Sequence, residues 1–170
     1  MPPQPIPMDD RKRARIAEEQ RLLAERRQKA IVSLAHCLGR SDVMRLHHDA
    51  LIHEMLETGE EFTNAKKLRF AAYVCYWFAG LATVVERYQQ LVKAGTLAPS
   101  DELNALISTD FLDILKPFRN AVAHCSDHDD DRVLELMNNP NTIPDRGTAI
   151  AAAFKIYFES HSTRPIYGAA

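Results

Sequence analysis

Only three cysteines, Cys37, Cys75 and Cys125, stand in this chain of 170 residues, far apart and with no Cys-x-x-Cys pair. That excludes a disulfide framework and leaves free thiols suited to a reducing compartment. The six glycines form no phosphate-cradling loop, and neither an alternating strand pattern nor an internal repeat is present. The longest apolar run, Phe70 to Val85, is shorter than the roughly 20 residues that span a bilayer. The start, Met-Pro-Pro-Gln-Pro-Ile-Pro, lacks the basic and apolar regions of a secretory signal. No charge sign dominates either: the net charge of -2 does not mark the whole molecule as a nucleic-acid binder. These absences predict a cytoplasmic, soluble protein with no membrane partner.

What is present is helical. Four prolines within residues 1–8 predict a disordered tail over 1–9. A single domain is expected over 10–162, followed by a C-terminal tail over 163–170. Ile16, Leu23, Ile31, Leu34 and Leu38 recur at helical spacing, so a long first helix is expected from about Arg11 to Leu38. Gly39 is expected to end it and Ser41 to cap a second helix over about 42–57, closed by Gly59. Residues 11–29 carry eight basic side chains against three acidic ones, which leaves about -7 for the rest of the chain. That segment is expected to project into solvent, its charges paired at i, i+4. Guidance of RNA or docking of a partner is the alternative use.

Thr63 or Asn64 is expected to open the longest helix, which runs to about Ala94 with Gly95 at its C′ position. Its middle, from Ala71 to Val85, is apolar on every side, which predicts burial all round and favours a dimer interface. Tyr76, Trp77 and Phe78 are read as packing residues. Short helices are expected after Ser100 and after Thr109, then a fresh start at Pro117, a loop or cap over Asp127–Asp131, a short helix ending near Asn138, a loop to Pro144, and a last helix capped by Asp145. The fold class is all-α, an up-and-down bundle of about five to seven helices.

One stretch departs from this packing grammar. Phe118-Arg119-Asn120-Ala121-Val122-Ala123-His124 places an arginine, a carboxamide and an imidazole among apolar or small residues. Asn120 and His124, four apart, share a helix face, and the long side chain of Arg119 can swing over it. Arginine binds phosphate with a planar fork that stays charged, and histidine transfers protons near neutral pH. A helix start at Pro117 would add free N–H groups for an anion. Together these make a phosphate-directed acid–base site that needs no metal or cofactor. The plainest structural alternative is an ion pair between Arg119 and Glu86, which could also orient Arg119 in a site. His124, Cys125, His128 and Asp129–Asp131 could be grouped as metal ligands, but the aspartates serve better as caps. His47, His48, His53 and Glu54 are read as a solvated face.

The pattern of Arg119, polar Asn120, three further residues and His124 resembles the Rx4–6H signature of HEPN (higher eukaryotes and prokaryotes nucleotide-binding) domains. The Leu-Lys-Pro-Phe lead-in and the Trp/Tyr-rich helix from Tyr73 to Leu91 are similar to that family, and the resemblance covers about residues 63–160. It implies an all-α homodimer and a metal-independent endoribonuclease acting in toxin–antitoxin, defence or RNA-processing systems. An RNA substrate and an antitoxin or nucleotidyltransferase partner follow from it. It assigns catalysis to Arg119, Asn120 and His124: proton transfer to His124, the scissile phosphate to Arg119, and orientation to Asn120. Since each chain has one motif histidine, two copies in one cleft would supply both base and acid. The alternatives are a non-catalytic dimer of the same fold that binds a nucleotide, RNA or protein, and a helical adaptor that works through its basic N-terminal helix.

Overall fold

A computed structural model describes residues 10–107, 109–124 and 143–166, all of whose regular structure is helical. Five helices are seen among them: α1 (Asp10–Thr58), α2 (Asn64–Lys93), α3 (Asp101–Leu106), α4 (Thr109–His124) and α5 (Ile143–His161). The expected N-terminal tail, the Asp127–Asp131 cap, the short helix near Asn138 and His128 lie outside the described residues.

The first correction concerns Gly39. It does not end a helix; α1 runs through it for 49 residues. A glycine terminates a helix by adopting a positive φ, as Gly59 (62°) and Gly95 (70°) do here, and Gly39 does not. Continuity is secured by tertiary packing. Ser41, expected to be a cap, is buried inside α1, where its hydroxyl donates to the Trp77 carbonyl of α2 at 2.7 Å. Gly80 permits that approach: a Cβ there would lie 2.8 Å from the Ser41 Cβ. Burial of Leu34, Leu38 and Leu51 on either side of Gly39 offsets its helix cost of about 1 kcal/mol.

The remaining boundaries follow local chemistry. Thr63 caps α2, its hydroxyl accepting from the Lys66 amide at 3.3 Å. At the other end Gly95 N–H donates to Val92 O and Thr96 N–H to Leu91 O, the paired bonds of a Schellman motif. Ser100 caps α3 through the Leu103 amide. The α5 helix starts two residues before the expected cap, Asp145, and ends at His161.

The α2 helix is the central element, packed against α1, α4 and α5. Its contacts with α1 run in opposite directions along the two chains: Ser41 meets Trp77, His47 stacks on Tyr73 and His48 lies against Phe70. The two helices therefore form an antiparallel hairpin across the 59–63 loop. Trp77 stacks on Phe78, and Phe78 meets Phe118 of α4 with ring centroids 5.0 Å apart. On α5, Gly147 is buried against Phe78, where a Cβ would come within 2.9 Å of that ring. Below this layer Tyr88 accepts from the Ser100 amide, and Tyr157 donates to the Ala98 carbonyl. Burial pushes the Tyr157 phenol up to about 12, so it remains a donor.

Within a single chain α2 is not buried all round, and the expectation allowed for a partner copy to cover the rest. Leu68, Tyr76, Thr83 and Arg87 leave one stripe of it open. By length and composition α2 is the one described helix that could cross a membrane. Here its apolar residues Val74, Trp77, Phe78, Leu81, Val84 and Val85 are buried in the bundle core, a use compatible with a soluble protein.

The first third of α1 leaves the bundle. Residues 10–26 are exposed except for Ile16, and they extend about 25 Å at the helical rise. Arg21 bonds Glu18 and Glu25 along this arm, and Arg15 pairs with Glu19.

Candidate functional site

The α4 helix is held by Phe111, Leu115 and Phe118, which recur at helical spacing and are buried against the core. Proline 117 was expected to start a fresh helix. It is instead enclosed within α4, which runs unbroken from Thr109 to His124. Proline removes one intrahelical hydrogen bond, and the flanking Leu115 and Phe118 bury enough apolar surface to keep the helix continuous. The free N–H groups expected beside Arg119 are therefore absent, and any anion there must be held by side chains.

Arg119 follows the buried Phe118 and turns back toward α2. Its Nη1 donates to both carboxylate oxygens of Glu86, at 2.5 and 2.7 Å, and its Nη2 faces the Asn120 Oδ1 at 3.5 Å. The pair is half-buried, with Arg119 40% and Glu86 31% exposed at the side chain. Because one nitrogen takes both oxygens, Nε and Nη2 keep donor capacity for an incoming anion. His124 is the last residue of α4, four after Asn120.

Beside Arg119 a cleft of about 400 Å³ opens between α1, α2 and α4. Cys37, Arg40, Ser41 and Met44 form the α1 wall. Ala79, Gly80 and Thr83 form a small-residue floor on α2, with Tyr76 at its edge, and Arg119 and Val122 close the α4 side. Burial pushes the Cys37 thiol above its ordinary value, and Arg40 pulls it only part of the way back, so Cys37 lines the cleft as a protonated thiol. Arg40 itself makes no hydrogen bond or ion pair among the described residues.

Of the residues singled out in sequence, Arg119, Asn120 and Glu86 come together, with His124 one turn further along the same helix. The histidines of α1 do not converge. His47 stacks on Tyr73, His48 packs on Phe70 and Trp77, and His53 meets Glu57 at 3.1 Å. No cluster of three metal-ligating side chains is found among the described residues. Sequence reasoning missed Arg40 and read Tyr76 as core or dimer packing rather than as a base-stacking platform. Arg40 followed a glycine read as a terminator, and Tyr76 was grouped with its buried neighbours Trp77 and Phe78.

No family model, curated protein or solved structure matches this chain.

Proposed function

We propose that this chain is a HEPN-like, metal-independent endoribonuclease that acts as a homodimer, as a toxin or defence component with an antitoxin or nucleotidyltransferase partner. The observation that carries the proposal is the placing of Arg119 at the edge of a cleft, with Asn120 beside it, Glu86 holding the arginine and donor capacity left on its fork. In this reading the His124 imidazole of one copy takes the proton of a ribose 2′-hydroxyl. The 2′-oxygen attacks the adjacent phosphorus, and the 5′-oxygen leaves with a proton from the His124 imidazolium of the second copy. Arg119 donates from Nε and Nη2 to the non-bridging oxygens as charge develops on them. The products are a 2′,3′-cyclic phosphate end and a 5′-hydroxyl end.

Incubation with RNA in excess chelator tests this. Cleavage that leaves 2′,3′-cyclic ends and disappears in His124→Ala supports it; intact RNA, or cleavage that survives the substitution, overturns it. One observation favours a second reading. Arg119 and Glu86 already neutralise each other, as expected in a non-catalytic dimer that binds a nucleotide, RNA or protein at the same cleft. Binding without turnover marks that case.

A further inference from the structure

We infer that the α1–α2–α4 cleft is a subsite for one nucleotide of a single-stranded RNA next to the cleaved bond, with Tyr76 stacking on its base and Arg40 pairing with its phosphate. This rests on the endoribonuclease reading for the location of the cleaved bond, and on independent features of the cleft for the rest.

The first feature is charge. Arg119 shares its charge with Glu86, so the pair contributes little net attraction for an anion. Arg40 lines the same cleft, is exposed and has no counter-ion among the described residues. The net positive charge of the cleft is therefore that of Arg40, an arginine whose fork matches a phosphate.

The second is the aromatic side chain. Tyr76 stands between core residues yet is 55% exposed, whereas the adjacent Trp77 and Phe78 are 3% and 2% exposed. Trp77 and Phe78 carry most of the packing of this segment, and more than half of Tyr76 stays open. A half-exposed ring at the edge of a cleft is what base stacking requires.

The third is shape. Ala79, Gly80 and Thr83 leave a floor without long side chains, and Met44 and Val122 give it apolar walls. The Ser41 hydroxyl is already committed to the Trp77 carbonyl, and the Thr83 hydroxyl donates to the Ala79 carbonyl. An apolar slot with its cations at the edge suits a flat ring bearing an anion better than a sugar rich in hydroxyls. Its volume falls within the roughly 300–1,000 Å³ of small-ligand sites. A duplex keeps its bases stacked on one another, so the occupant is single-stranded.

The test uses the full chain and a fluorescent 2′-O-methyl RNA decamer, which can bind but cannot be cleaved. Tyr76→Ala is expected to weaken binding roughly 5- to 100-fold and Tyr76→Phe to keep wild-type affinity. Arg40→Ala is expected to flatten the slope of log affinity against log salt by about 0.7, one phosphate contact on a single strand. Both side chains are exposed enough that circular dichroism should report folded variants. Wild-type affinity in Tyr76→Ala, tighter binding of a duplex than of the single strand, or no binding of the decamer by the wild-type chain would each overturn the subsite. So would a shift of Tyr76→Ala from dimer to monomer in sedimentation, which would make this face a contact between copies. If the decamer binds through Tyr76 and Arg40 while ordinary RNA stays intact, the subsite stands and the nuclease reading falls.

Discussion

One guanidinium nitrogen of Arg119 holds both carboxylate oxygens of Glu86 across the α2–α4 packing. The arrangement uses one nitrogen of the arginine for positioning and leaves Nε and part of Nη2 with donor capacity. Because both side chains are about one-third or more exposed, solvent screens much of their attraction.

A double-mutant cycle with Arg119→Ala and Glu86→Ala should therefore give a coupling of about 0.5–1 kcal/mol in urea unfolding. Zero coupling would mean that the pair does not persist in solution. In an RNA-cleavage assay Glu86→Gln should lower turnover more than it lowers stability, since the amide can no longer accept both bonds as a carboxylate.

Two glycines inside long helices should respond in opposite directions to the same substitution. Gly39 has open space where a Cβ would stand, so Gly39→Ala should stabilise the chain by about 0.5–1 kcal/mol through helix propensity alone. Gly80→Ala drives a methyl into the Ser41 Cβ at 2.8 Å, and overpacking of about 1–3 kcal/mol should outweigh the same propensity gain. Equal midpoints for the two variants in urea would show that α1 and α2 do not cross this closely.

Acid should loosen the joint between α1 and α5. Burial pushes the Asp42 carboxyl up, but hydrogen bonds from Arg45 and Lys155 outweigh it and leave the group below its ordinary value. A depressed folded value means that the ionised carboxylate contributes stability above the unfolded value of about 3.9. That contribution is lost as the pH falls through the lower folded value. Urea midpoints of the wild type and Asp42→Asn should thus differ by a constant amount from pH 7 to 5 and converge toward pH 3. A gap that widened in acid would contradict the assignment.

Deleting residues 1–26 should leave the melting temperature nearly unchanged, because the deleted part of α1 lies before Ile31, the first buried side chain among the described residues. Helical signal at 222 nm should fall by the arm's share of the chain. A drop of many degrees would mean that the arm packs on something.

The boundaries that sequence revealed are those written in one or two residues: Thr63 and Ser100 as caps, and Gly59 and Gly95 at positive φ. Those it concealed, Gly39 and Pro117, are breakers overruled from a distance. Ser41 reaches Trp77 across 36 positions, and the buried neighbours of Pro117 hold α4 together. The site divides in the same way. Arg119 and Glu86 stood out as opposite charges on apolar helices, so their meeting was legible. Arg40 and Tyr76 look like ordinary surface and core residues until the crossing of α1 and α2 puts them on one cleft.

The exposed arm also affects how the molecule migrates. Its isoelectric point of about 6.4 describes an average that no part of the surface need resemble. Residues 10–26 hold six basic and four acidic side chains, and much of that stretch stands more than a Debye length of about 8 Å from the bundle. At physiological ionic strength the arm and the bundle are two poles of one ampholyte, screened from each other. A cation exchanger above the isoelectric point meets the arm first, so the protein should be retained on a resin that its net charge says it should pass.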